Sequence, residues 1–229
     1  MMRKLTLTLI VLALTGWFNE AAEANTLHRR IIGLSAGRIE PGGDLKDLTE
    51  SLDDIYTFGV FAAIPFNDYV ALIGNIGRTE ITGDFRESGF ALDLETTIMA
   101  YSGGVRFSVM PREVFNPFVS ASYSYSTIDV KIKANGESMS DDFNEKAIVL
   151  AGGAEIALGD RFSVIGAFAR VMPQDQDEDD LEIFTSDDRD VISVALNFWL
   201  TDNVLLGGTF AQELEDDSQT YQIAVGFSF

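Results

Sequence analysis

The sequence predicts an all-β chain, folded as an antiparallel up-and-down transmembrane β-barrel of about ten strands, with eight as the alternative count. Three observations carry that prediction. Beyond Asn25, apolar stretches alternate with polar connectors, and helix is hard to place anywhere in that span. Within the stretches apolar side chains recur at every second position, which is the period of a strand and not of a helix. The connectors alternate long and short, so all short turns gather at one end and all long, acidic loops at the other, as in membrane barrels.

The elements follow in order. Arg3 and Lys4 precede an apolar run, Leu5 to Leu14, and the small-residue site Ala22-Glu23-Ala24. This is the anatomy of a cleavable signal peptide, so residues 1–24 are expected to be a leader and 25–229 the barrel domain. The run is too short to span a bilayer core, which needs about 20 apolar residues. The first strand is read over His28–Ile39 and the second over Asp54–Ile64, the latter ending in the turn Pro65-Phe66-Asn67-Asp68. Tyr69–Thr79 and Thr96–Met110 follow as third and fourth, separated by a polar connector reaching Glu95. In the fifth, Val119, Ala121, Tyr123 and Tyr125 alternate with Ser120, Ser122, Ser124 and Ser126, a pattern no helix produces. A polar connector from Lys131 to Lys146 leads to the sixth, Ala147–Leu158, and Gly159-Asp160 turns it into the seventh, Arg161–Met172. Beyond the acidic stretch Pro173–Asp190, Val191–Leu200 and Val204–Gln212 are the eighth and ninth. The tenth, Tyr221–Phe229, sets Tyr221, Ile223, Val225, Phe227 and Phe229 against Gln222, Ala224, Gly226 and Ser228.

A soluble β-protein would show more charge on its less apolar strand face. Here that face is mostly Gly, Ser, Ala and Thr. Phe66, Tyr69, Phe115, Phe118, Phe162, Phe198 and Trp199 sit beside the short turns and read as an interfacial girdle. The formal net charge of −20 excludes the basic footprint of a nucleic-acid binder, and the absence of cysteine excludes disulfides and thiolate metal sites.

The terminal strand resembles the C-terminal signal of Gram-negative outer-membrane β-barrel proteins, polar-x-Gly-x-x-apolar-x-aromatic. Gln222, Phe227 and Phe229 match it, while Ala224 stands where glycine is commoner. The resemblance implies residence in the outer membrane of a Gram-negative bacterium, contact with its lipid and lipopolysaccharide, and insertion by the barrel-assembly machinery. It does not reach a subfamily. Omptin-type proteases, lipid A deacylases and outer-membrane phospholipases resemble the chain in architecture, and all rely on a histidine. The single histidine, His28, falls at the start of the first strand, away from where those enzymes act, so no catalytic residue is expected.

Arg106 and Glu155 are the charges expected on the inward face, either as a structural pair or as a selectivity constriction, with Asn75, Asn197 and Gln222 lining the same lumen. Asp175, Asp177, Asp179 and Asp180 read as a solvated acidic loop or, more sharply, a loose calcium or magnesium site; the glycine and terminal glutamate of a calcium loop are missing. No other cofactor is expected. Small inward residues under acidic loops suggest a narrow porin-like channel for small solutes, cation-preferring because an acidic mouth concentrates cations. The alternative is a closed barrel whose extracellular loops act in adhesion or envelope structure.

Overall fold

The computed structural model describes residues 29–42, 55–87, 90–111, 113–134, 137–174, 188–215 and 217–229. They form ten strands: β1 (Ile31–Glu40), β2 (Ile55–Pro65), β3 (Val70–Glu87), β4 (Phe90–Ser108), β5 (Phe115–Ala134), β6 (Glu137–Ala157), β7 (Phe162–Pro173), β8 (Arg189–Thr201), β9 (Val204–Glu213) and β10 (Gln219–Ser228). Each pairs antiparallel with its sequence neighbours, and β1 closes on β10 in a continuous register from Ile31↔Ser228 to Glu40↔Gln219. At the lower end the turns are short and locally determined. The Asn67 carboxamide oxygen accepts hydrogen bonds from the amides of Tyr69 (2.8 Å) and Val70 (2.9 Å), folding the β2–β3 turn. Gly159 takes the β6–β7 turn with φ of +84°, a conformation that costs glycine little.

In the lower half the outward side chains are apolar and exposed: Leu34, Phe58, Leu72, Val105, Leu196, Ile223 and Phe227 among many. An exposed apolar surface this continuous needs an apolar solvent, and strands of ten to thirteen residues such as β1, β2 and β7–β10 suit a tilted bilayer crossing. The inward side chains are small or polar, with large exceptions. Phe118 and Trp199, read as girdle residues, point inside at 5% and 4% exposure, because each shares parity with inward neighbours, Ser120 and Asn197. Phe61 is inward as well. A ten-stranded bore is wider than eight strands can fill with small side chains, and these rings occupy the excess. Two of them lie over glycines: a Cβ on Gly33 would stand 2.3 Å from the Phe61 ring, and one on Gly153 2.8 Å from Phe118.

The upper half corrects two boundaries. The segments 80–95 and 131–146, expected as connectors, are mostly strand: β3 continues to Glu87 and β4 starts at Phe90, while β5 continues to Ala134 and β6 starts at Glu137. The β5 strand would rise about 50 Å at the usual tilt, well beyond a hydrocarbon core of about 30 Å. The β2 pairing of β3 stops at Glu80, and the β7 pairing of β6 starts at Ala147, so β3–β6 continue upward as a four-stranded sheet. Its facing is inverted. Asp93, Glu95, Asp129, Lys131, Lys133 and Asp142 point outward, while Ile81, Leu94, Ile98, Ile128 and Val130 are buried inside. One sheet therefore changes solvent along its length, from lipid to water.

Candidate functional site

The interior is layered. Lowest is an apolar cluster of Ile31, Phe61, Trp199, Leu205 and Ala224. The Arg29 guanidinium stands 4.3 Å over the Trp199 ring and donates to the Asp202 carbonyl, tying the start of β1 to the β8–β9 turn.

Above it lies a polar layer. Glu155 on β6 faces Asn116 on β5 across the ladder, and both are buried. The Asn116 carboxamide donates to Ser108 Oγ (3.4 Å) and accepts from the Met110 amide (3.3 Å). Ser163, beside Glu155, pairs with Asn197 on β8. Arg106, 2% exposed, reaches over from β4 with its guanidinium 3.6 Å above the Phe118 ring and its charge acting on Glu155. The predicted inward residues thus lie inside the barrel. Arg106, Glu155 and Asn197 share this neighbourhood, whereas Asn75 (opposite Phe61) and Gln222 (opposite Gly37) occupy other walls.

The upper layer is the one the sequence reading missed. Ile39, Ile55, Ile81, Leu94, Ile98, Ala100, Ile128, Val130, Ala147, Val149, Ala169, Val171, Val191 and Ala211 form one apolar cluster, supplied by nine of the ten strands. It spans the bore. Set into it is a buried ion pair, Arg189 Nη2 to Glu145 Oε1 at 3.3 Å, with 6% and 3% of the side chains exposed. Arg189 lies opposite Val171, and Glu145 lies opposite Ser126 at the top of the serine column. The signal was present: Ile128, Val130 and Ile132 alternate with Asp129, Lys131 and Lys133 as regularly as any predicted strand.

Of the assembly-signal residues, Gln222 is buried inside and Phe227 and Phe229 are exposed outside at the short-turn end. The Phe229 amide donates to the Arg30 carbonyl (3.2 Å), and the Ser228 amide to the Asn203 carbonyl (2.9 Å), so the chain end is fastened to its neighbours. Asp175, Asp177, Asp179, Asp180 and His28 lie outside the described residues, as does the expected leader. Among the described residues no group of three or more His, Cys, Asp or Glu is placed to hold a metal ion.

Residues 9–229 match the family model described as outer membrane protein beta-barrel domain. None of the curated proteins matches the sequence. Among solved structures, the translocator domain of the autotransporter NalP from Neisseria meningitidis superposes with a TM-score of 0.62 at 10% identity, covering 98% of this chain and 99% of that one. The transport unit of the autotransporter AIDA-I from Escherichia coli gives a TM-score of 0.51 at 12% identity, with coverage of 95% and 98%. At such identities the likeness is one of fold.

Proposed function

The chain belongs to the outer-membrane β-barrel family and resides in the outer membrane of a Gram-negative bacterium, and on that premise we propose that it is a sealed barrel whose extracellular β-sheet is its interaction surface. The observation that carries this reading is the apolar cluster contributed by nine strands across the bore. Inward side chains above and below the polar layer bury one another almost completely. With the short turns at the periplasmic side, the inverted upper sheet stands in the extracellular medium and shows it a charged face. Beyond Lys146 the β6 edge, Ser138 to Asn144, is exposed, and Asp141 binds the Asp142 amide at 3.0 Å, blunting one of its backbone donors. Such a module suits adhesion or envelope contacts.

The narrow, cation-preferring channel has less support. Its polar layer, Arg106 to Asn197, lies between two apolar clusters, and ions do not cross dry aliphatic packing without its displacement. Nothing in this arrangement calls for catalysis. Planar-bilayer recording of the purified barrel tests the seal: no steady conductance is expected, and a stable ohmic current would overturn it. Replacing 129–143 by a tight turn, with the barrel still folded, should abolish partner or surface binding; binding that persists unchanged would move the interaction site elsewhere.

A further inference from the structure

The outer wall carries a groove of about 530 Å³ across β10, β1, β2, β3 and β4. Its floor is Ala36, with Gly59 and Gly77 behind; its rims are Leu34, Phe58, Val60, Ile76, Met99 and Ile223. Ala36 lies between the partners Phe58 and Ile223, so a side chain of one carbon separates two large neighbours and opens the dent. The groove faces lipid. At its upper rim stands Arg78, paired in register with Phe58 and Met99. One row higher is Arg38, between Tyr56 and Tyr221.

This is the level at which the wall changes solvent. Phe58 and Ile76 lie just below it; Glu40 and Glu80 lie just above. Tyrosine rings prefer this boundary, where one end of the ring is apolar and the other wet. Both guanidinia are half exposed, and each pairs with a same-strand carboxylate, Arg38 with Glu40 at 3.8 Å and Arg78 with Glu80 at 2.6 Å. Exposed pairs of that kind are weak and exchange readily, whereas a guanidinium fork grips phosphate through two parallel hydrogen bonds.

We propose that this groove is the docking site of one phosphate-bearing, acylated lipid of the outer leaflet, with an acyl chain over Ala36 and the phosphate at Arg38 and Arg78. The apolar rims match the chain, the two cations match the anionic head, and their vertical order matches a lipid standing head-up in the outer leaflet. The site stands whether or not the bore conducts.

Native mass spectrometry of the delipidated, detergent-solubilised barrel tests it, with a hexa-acylated, bis-phosphorylated glucosamine disaccharide as probe. One retained copy is expected. Arg38→Gln/Arg78→Gln, Ala36→Phe and the dephosphorylated probe should each weaken retention at least about tenfold, since each removes one half of the recognition. Lys131→Gln/Lys133→Gln, on the extracellular sheet, should leave it unchanged. Ile223→Ala, at an exposed position, removes one groove wall and serves if Ala36→Phe fails to fold. Equal retention by all forms would mean annular lipid only and overturn the site. So would competition by inorganic phosphate alone with the groove variants unaffected, which would mean a phosphate site without a docked chain.

Discussion

Glu145→Leu is the sharpest perturbation of the upper seal. It leaves Arg189 inside an apolar cluster, opposite Val171, without the carboxylate 3.3 Å away. At that separation and an effective dielectric constant of about 20, the gross attraction is about 5 kcal/mol. Most of it offsets desolvation of two side chains that are 6% and 3% exposed. Removing one partner forfeits the attraction while the desolvation remains, and breaking buried pairs typically costs about 3–5 kcal/mol. Replacing both, as Glu145→Leu/Arg189→Met, removes the charges together and should recover most of the loss, to within about 1–2 kcal/mol of wild type. Urea unfolding in lipid vesicles, followed through the buried Trp199, reads these differences. With an m-value of about 1–3 kcal/mol/M, the single variant should lower the midpoint by about 1 M or more. A single variant within about 0.5 kcal/mol of wild type, or a double variant no better than the single, would refute the reasoning.

Three further outcomes are expected. Phe118→Ala uncovers Gly153 and removes the ring beneath Arg106, so it should destabilise the barrel by about 3–5 kcal/mol in the same vesicle assay. Gly33→Leu puts a side chain into the Phe61 ring and within 2.6 Å of the Val225 carbonyl oxygen at the β1–β10 closure; it should abolish the heat-modifiable folded band on gels. Deleting Phe229 removes the terminal aromatic and its amide hydrogen bond to Arg30, and should lower the outer-membrane level more than shortening the β5–β6 hairpin does, as measured by fractionation and immunoblotting.

The membrane-crossing half was legible because one rule governs it. With lipid outside, apolar side chains alternate with small or polar ones, and Val119–Ser126 or Tyr221–Phe229 states the parity without help. What that rule cannot show is which large side chain breaks it. Phe118 and Trp199 are aromatic and sit near turns, so composition assigns them to the girdle, while parity assigns them to the interior. Parity prevails, since a one-residue slip would turn every neighbour with them. The upper half was misread for a related reason. Segments rich in Asp, Lys and Glu look like loops when apolarity is sought on the outer face, and here apolarity is on the inner one. The Glu145–Arg189 pair was beyond reach, because two residues 44 apart in sequence meet only through the packing of β6, β7 and β8.

The inversion also bears on how such a barrel comes to be closed. A membrane barrel with eight strands fills its bore with ordinary side chains, and each added pair of strands widens it. In the lipid-spanning part, this chain meets the extra width with Phe61, Phe118, Trp199 and Arg106, each at a particular level and two of them over glycines. Above the membrane a different solution is open, because water outside allows the inner face to be largely aliphatic. Isoleucines from β1 to β5 and valines from β5 to β8 then supply most of that face, with the Glu145–Arg189 pair set among them. Where charged side chains face outward, as at Asp129 and Lys131, burial of Ile128 and Val130 on the inner face can drive the packing, whereas lower in the cluster Val149, Ala169 and Val191 lie beside lipid-facing Leu150, Phe168 and Ile192. A channel of this architecture would have to keep the upper inner face polar, and the alternation Ile128, Val130, Ile132 does the opposite.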